Sequence, residues 1–571
     1  MMGTLLLAGC SAQKTGDAAE TQAASAGSEH TITLSGSTAS CSSASVTIDG
    51  STIKITGAGT YELTGTLDDG MVIVDAGDED DVELILNNAS ITSGSSAAIY
   101  IANCGDATVT LASGSENALS NGGSFVNIDD KNIDGVIYST EDLALQGEGS
   151  LTIVSPAGHG VVSKDDLTVE SGTYSITAAS HGVTAKDNAL LEDGAFTIEA
   201  GKDGIHCENT DDETLGNLTI SDGSYAITAD GDGFSASGSL TVADGVIDVT
   251  AGGGSASVTH SDAGFGWNGQ TSNTDSASAK GLKAEGDLTV TGGTITVDSA
   301  DDALHSNANV TVSGGEVTLS SGDDGIHADG NTTISAGTVT VPASYEGIEG
   351  QTITISGGAI SVVSSDDGLN AAGGNDASGN GGFFGGNPFD SDASAEILIE
   401  GGTLYVNAGG DGIDSNGTIT MTGGQVFVSG PTNSGNGALD YGVSATITGG
   451  TIVAAGASGM AENFTSAEGQ GAMLVSTGAQ QAGSTIQLAD ASGNVLLTWQ
   501  PEKAYECVVI STPDVQQGGA YTLTAGSGTQ TIEMTSAVYG GGMGQMGGMG
   551  GQPGQMGQMG GGRPGGGMGR P

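Results

Sequence analysis

The sequence predicts an all-β chain whose main body is a parallel β-helix, a solenoid of about 22 residues per coil, followed by a small β-rich cap or domain. Three observations predict it. A short acidic motif returns at a fixed period. Between its copies Ile, Val and Leu alternate with Ser, Thr and Asp, the period-two signature of strands with one face in and one face out. Gly is abundant (102 residues) and aromatics are only 4%, so the chain suits many thin aliphatic layers better than one thick core.

The motif is an acidic or basic residue followed by Gly or Ala. Asp203-Gly204, Asp302-Ala303, Asp324-Gly325, Glu346-Gly347 and Asp367-Gly368 are copies, as are His159-Gly160, His181-Gly182, Asp232-Gly233, Lys280-Gly281 and Asp411-Gly412. Consecutive members commonly lie about 22 residues apart, and Gly/Ser/Asn-rich insertions at 252–279 and 371–395 account for the two longest gaps. Such a unit cannot bury its apolar face alone. Stacked, it lines an interior with Ile205, Leu282, Leu304, Ile326, Ile348, Leu369 and Ile413. Gly-Gly and Asp-Gly pairs are expected to supply positive φ at the corners. A β-sandwich also has many short strands, but no fixed motif at a fixed period.

Five segments follow from this pattern. Residues 1–29 read as a lipoprotein signal and tether, because Leu7-Ala8-Gly9-Cys10 fits a lipobox with Cys10 as the lipidation site, although a basic leader is missing from the segment before it. Residues 30–130 read as an N-terminal β cap and first coils, 131–464 as the parallel β-helix, and 465–538 as a C-terminal β-rich region with a hairpin at Ser492-Gly493-Asn494. The Gly/Met/Gln tail, 539–571, reads as disordered. An extracellular, membrane-lipid-anchored monomer is the expectation; no stretch has the roughly 20 apolar residues of a membrane span.

The formal charge is −57, with both arginines in the extreme C-terminal tail, which excludes a sequence-independent nucleic-acid binder. Besides Cys10, the cysteines Cys41, Cys104, Cys207 and Cys507 are scattered without CxxC spacing, so neither a zinc site nor a redox motif is indicated, and the spacing neither demands nor forbids a disulfide.

Stacking turns the period into rows. One row holds Asp203, Asp232, Asp302, Asp324, Glu346, Asp367 and Asp411, interrupted by Lys280, with Asp301, Asp323 and Asp366 directly before three of its members. Like charges at strand spacing repel unless a cation lies between them, and Ca²⁺ takes six to eight oxygens of the kind turns offer. Calcium is therefore the expected cofactor. The plain alternative is that Asp suits Asp-Gly turns and stays solvated. A second row, His206, Lys283, His305, His327, Glu349, Asn370 and Asp414, is expected to face outward as a groove for an extended polymer. The competing reading makes its histidines ordinary solvent-facing members of a ladder.

Catalysis needs more than this. Glycosidase chemistry asks for a defined carboxylate pair, and here any choice of pair is arbitrary. Lys164, Lys186 and Lys202 are candidate bases for a polysaccharide lyase, yet Lys164-Asp165-Asp166 and Lys186-Asp187-Asn188 repeat one another at coil spacing, which speaks for repetition rather than a unique centre. No catalytic residue is assigned. Among exposed aromatics, Trp267 in one insertion is a candidate ligand contact or a pin for its loop, and Phe383, Phe384 and Phe389 lie in the other.

Several segments carry a resemblance: 59–92 (GTYELTGTLDDGMVIVDAGDEDDVELILNNASIT), ENALSNGG at 116–123, YSTEDLALQGEGSLTI at 138–153, HGVVSKDDLTVESGTYSITA at 159–178, KDGIHCEN at 202–209 and GLKAEGDLTVTGGTITVDSADDALHSN at 281–307. Over about 30–460 the chain resembles carbohydrate-binding, pectate-lyase-like β-helix surface proteins of bacteria that bind cellulose and acidic, pectin-type polysaccharides. The resemblance implies a right-handed coil, bound calcium, and binding of polygalacturonate or cellulose without catalysis. Its calcium ligands carry over only as far as the turns at 323–325, 366–368 and their equivalents. Readings from other classes are a calcium-dependent lyase with a Lys base and a structural adhesin.

Overall fold

The computed structural model describes residues 29–128, 131–259, 278–371 and 392–541. Among them the chain is all-β, with one short 3-10 turn at Ser255–Ser257 as its helical element. It divides into two compact units, Met1–Ser175 and Ile176–Pro571.

In the first unit, Glu29–Gly36, Gly59–Leu67 and Val82–Ser93 pair in parallel. A second run joins Thr52–Ile55, Met71–Asp75, Ile99–Asn103, Gly135–Ser139 and His159–Ser163. Antiparallel partners lie at the start of each run: Thr38–Ser40 on the first and Val46–Asp49 on the second. A sheet edge left open invites pairing with another chain, and these hairpins occupy it.

The second unit repeats one coil. Leu304–Ser306, Val310–Val312 and Glu316–Ser321 show it: two three-residue strands, then a six-residue strand, each separated by a tight turn. Every strand pairs in parallel with its counterpart one coil on, so like stacks on like. Ile205, Phe234, Leu282, Leu304, Ile326, Ile348, Leu369 and Ile413 form one continuous register, and all are fully buried. Both insertions leave that register intact, since Ala236 pairs with Ala284 and Ala371 with Ser415. This strand order is that of a stacked β-solenoid.

The glycines divide the work only partly as the sequence predicts. Positive φ falls on the turn before the long strand, as at Gly315 (+87°) and Gly337 (+88°). Asp193-Gly194 (+127°), Asp222-Gly223 (+110°) and Asp244-Gly245 (+108°) supply it there as expected, whereas Gly325 and Gly368 of the repeated motif do not adopt it. A Cβ on Gly368 would stand 2.3 Å from Val406 Cγ1 and 2.5 Å from the carbonyl oxygen of Gly412 one coil on. Space, not dihedral freedom, selects glycine there, and the same contact recurs at Gly325, 2.6 Å from the oxygen of Gly347.

The stack ends where the strand Thr451–Gly456 meets Tyr505–Thr512 antiparallel. Beside it Val495–Trp499, Ile486–Asp490, Ala520–Ala525 and Gly528–Glu533 form a four-stranded antiparallel sheet. Asp490 builds its hairpin turn: its carboxylate accepts hydrogen bonds from the backbone amides of Ser492 (2.8 Å) and Asn494 (2.9 Å). Cys41, Cys104 and Cys507 are free thiols, and Cys207 Sγ donates to the backbone oxygen of Asn217 at 3.4 Å.

Candidate functional site: a row of carboxylates on the turns

Coil stacking brings the predicted acidic row together on one edge of the second unit, and the row is tied by a recurrent hydrogen bond. At five turns the backbone amide donates to the carboxylate of the turn before. Asp232 donates to Asp203 Oδ1 (2.9 Å), Lys280 to Asp232 Oδ1 (2.8 Å) and Asp324 to Asp302 Oδ1 (3.0 Å). Farther along, Asp411 donates to Asp367 Oδ1 and Gly437 to Asp411 Oδ1, both at 2.5 Å. One oxygen of each of these aspartates is thus structural.

The second oxygen meets a cation in the first half of the row. Asp203 Oδ2 lies 2.7 Å from His206 Nδ1 and 3.3 Å from His181 Nδ1, and the two imidazoles stack at 4.4 Å. Lys283 Nζ lies 3.7 Å from Asp232 Oδ2. Lys280 Nζ, on a nearly buried side chain, bridges Asp301 (3.0 Å) and Asp302 (2.6 Å), and His305 Nδ1 adds a contact to Asp302 at 2.8 Å. His327, fully buried, places Nδ1 3.0 Å from Asp324 and 2.8 Å from Glu349. Burial alone would raise the Asp203 and Asp302 carboxyls, but hydrogen bonds from their histidines, joined at Asp302 by Lys280, hold both well below the usual range. Burial opposes the proton on His327, yet Asp324 and Glu349 outweigh it and push its pKa up to about 12.

The second half of the row has carboxylates only. Oxygens of Asp367, Asp411 and Asp414 lie within 4.8 Å of one another. Asp414 stands opposite Asp440 in the strand register, and Asp440 and Glu462 continue the line. Glu346 binds a neutral partner, Asn370 Nδ2, at 2.7 Å. Among the described residues no ion pair reaches Asp367, Asp411, Asp414, Asp440 or Glu462. Burial, reinforced by neighbouring carboxylates, raises the whole set: Glu346 and Asp414 to about 8, Asp411 and Glu462 to about 7, and Asp367 well above the ordinary value. Two buried oxygens there, Asn370 Oδ1 and Glu462 Oε2, have no hydrogen-bond partner among the described residues. Just past Asp440, a cleft of about 450 Å³ opens between Tyr441, Glu462, Asn463, Thr465 and Gly540.

The donor chemistry therefore differs along the row. At Asp301, Asp302 and Asp323, whose oxygens also cluster within 4.8 Å, the Lys280 ammonium supplies the positive charge a metal would bring. At Glu346, Asp366, Asp367, Asp411, Asp414, Asp440 and Glu462 the donors are all hard oxygens and the charge is uncompensated, which fits a calcium-like cation.

The second predicted row is corrected in orientation. His305, His327, Glu349 and Asn370 are buried rather than outward-facing, because each is covered by side chains of its own and adjacent turns. His206 and Lys283 are partly exposed. Of the candidate bases, Lys164 lies over the Tyr138 ring at 5.6 Å and Lys186 pairs with Asp211 at 3.1 Å. Cys10, Trp267, Phe383, Phe384 and Phe389 lie outside the described residues. Sequence reasoning missed Asp440 and Glu462, which carry no Asp-Gly or Glu-Gly signature. A signal was present nonetheless: from Ala328 to Glu502 the sequence holds no Lys, Arg or His.

Comparison with known proteins gives these residues a context. Residues 49–325, just under half of the chain, match a family described as carbohydrate-binding domain-containing protein. A carbohydrate-binding domain-containing protein of Acetivibrio thermocellus is 33% identical over 128 residues, which are 22% of this chain and 45% of that relative, so the chain spans about half the length of the curated relative it matches. A solved structure of a polysaccharide lyase-like protein from C. thermocellum, a gadolinium derivative, is 26% identical with a TM-score of 0.40, covering 46% of this chain and 97% of the other.

Proposed function

We propose that this chain binds polysaccharide and does not cleave it, using the turn row of the second unit as a calcium-supported surface for acidic, pectin-type glycan. The observation that carries the reading is the oxygen-only cluster of Asp367, Asp411 and Asp414, raised by burial and lacking a protein cation. Asp366, Glu346, Asp440 and Glu462 extend the donor set. Bound there, calcium would supply the missing positive charge and a site at which a uronate carboxylate can complete the coordination. The family match over 49–325 supports carbohydrate as the ligand class.

The chain's own residues set the rest. The amides of Asp411 and Gly437 hold one oxygen of Asp367 and Asp411 in place, leaving the second oxygen of each to face the cation. The cleft beside Tyr441 and Glu462 gives a polymer access to the end of the row. The reading carries with it a right-handed coil, a monomer, and an extracellular position held by a lipid on Cys10.

Retention of the purified chain on insoluble polygalacturonate and on cellulose, in calcium and then in chelator, tests it. We expect retention on polygalacturonate that the chelator abolishes. No retention on either polymer in calcium would overturn the reading and favour an adhesin.

A further inference from the structure

A second feature of the Ile176–Pro571 unit lies on the face made by its long strands, outside the family match. Thr403–Asn407 and Gln425–Ser429 pair in parallel, and their outward residues Tyr405 and Phe427 stand opposite each other. The rings stack at 5.0 Å and 11°. Trp499, the last residue of Val495–Trp499, meets Phe427 at 5.6 Å and 45°, so three aromatic rings turn a corner between the parallel face and the antiparallel sheet. Tyr405 is 48% exposed in a chain that buries most of its tyrosines, and Val363 beside it is 38% exposed.

The corner encloses a cavity of about 170 Å³, lined by these rings and by Ser361, Asn407, Gln500 and Glu502. That is room for one pyranose ring. Asn407 is held by its Nδ2, which donates to Glu502 Oε2 at 2.6 Å, while its buried Oδ1 accepts no hydrogen bond among the described residues. The nearby cation Lys503 spends its ammonium on the carbonyl oxygen of Ala408. The cleft thus offers an aromatic face, amide and hydroxyl groups and a carboxylate, with no positive charge among the residues that line it.

We propose that this corner is a second glycan site, one that takes a neutral pyranose of a glycan chain by stacking the sugar's C–H face on Tyr405. Aromatic faces carry negative charge that the weakly positive C–H groups of a pyranose complement, and concave sites pair an apolar wall with a few polar groups that fix orientation. Glu502 and the lack of a lining cation disfavour a uronate, which separates this site from the acidic row. The inference rests on polysaccharide binding as the function and adds where, and by which chemistry, a neutral chain is held.

Titration calorimetry of the full chain with cellohexaose, beside the polygalacturonate retention assay, tests it. We expect cellohexaose to bind and Tyr405→Ala to weaken it by about tenfold, while Tyr405→Phe, which keeps the ring, holds the wild-type affinity. The melting temperature and polygalacturonate retention of both variants should match the wild type. Polygalacturonate retention without cellohexaose binding overturns this site alone, as does cellohexaose binding that Tyr405→Ala leaves unchanged. Binding of neither glycan removes both sites.

Discussion

The first and second halves of the carboxylate row are built on one coil and one set of backbone hydrogen bonds, yet they treat charge in opposite ways. From Asp203 to Asp324 each aspartate of the row has a histidine or lysine within reach. From Glu346 to Glu462 the same positions hold carboxylates with no such partner among the described residues, and burial raises them as it also raises Asp232 and Asp324 in the first half. An internally neutralised row is scaffolding, whereas one that leaves its charge unmatched must protonate or recruit a cation. The division also tracks the family match, which ends at residue 325.

Removing a cation from the first half should have the largest effect. Lys280→Met leaves Asp301 and Asp302 facing each other across a buried gap, and we expect it to lower unfolding free energy in chelator by roughly 3–5 kcal/mol, measured by denaturant unfolding. A loss below about 1 kcal/mol would erase the distinction between the halves.

Packing, by contrast, should not distinguish them. Gly325→Ala and Gly368→Ala each drive a methyl toward the next coil's carbonyl oxygen and a valine side chain. Each should cost about 1–3 kcal/mol by the same measurement, and a large gap between the two would mean that the coils themselves differ.

The smallest effect is the most specific to the second half. Carboxyls raised to about 7 or 8 when folded titrate near pH 4 when unfolded. Their contribution is fullest below the unfolded value and is lost as pH rises toward the folded one. In chelator the melting temperature should therefore fall from pH 5 to pH 9. Asp411→Asn/Asp414→Asn should flatten that fall. Excess calcium should cancel it in the wild type and have less effect in the double variant.

Much of this arrangement was legible in the sequence because a repeat converts position into neighbourhood. The interior residues from Ile205 to Ile413 and the acidic row could be named from a period alone, since a constant register places equivalent residues side by side. What the period could not give was depth. His327 sits between Ile326 and Ala328 in an alternating strand, so alternation turns it outward; the carboxylates of Asp324 and Glu349 then close over it. Nor could it give partners that leave the repeat. Glu462 reaches the row from an irregular segment, and Trp499 meets Phe427 only because the antiparallel sheet folds back on the coils. The role of Gly325 and Gly368 escaped the pattern for a related reason: dihedral preference is local, whereas the oxygen that excludes a side chain at Gly368 belongs to the next coil.

The constant coil-to-coil register also makes length a free variable. Lys280, Asp302, Asp324 and Glu346 are spaced 22 residues apart, and each coil presents to its successor the same face that it receives. Excising the single coil Asp302–Asp323 would bring matching faces together, whereas a cut one residue short would turn each following strand inside out. Such a molecule can lengthen or shorten by duplicating or losing whole turns at little structural penalty. The length of the stack is then set coil by coil without redesign of either end.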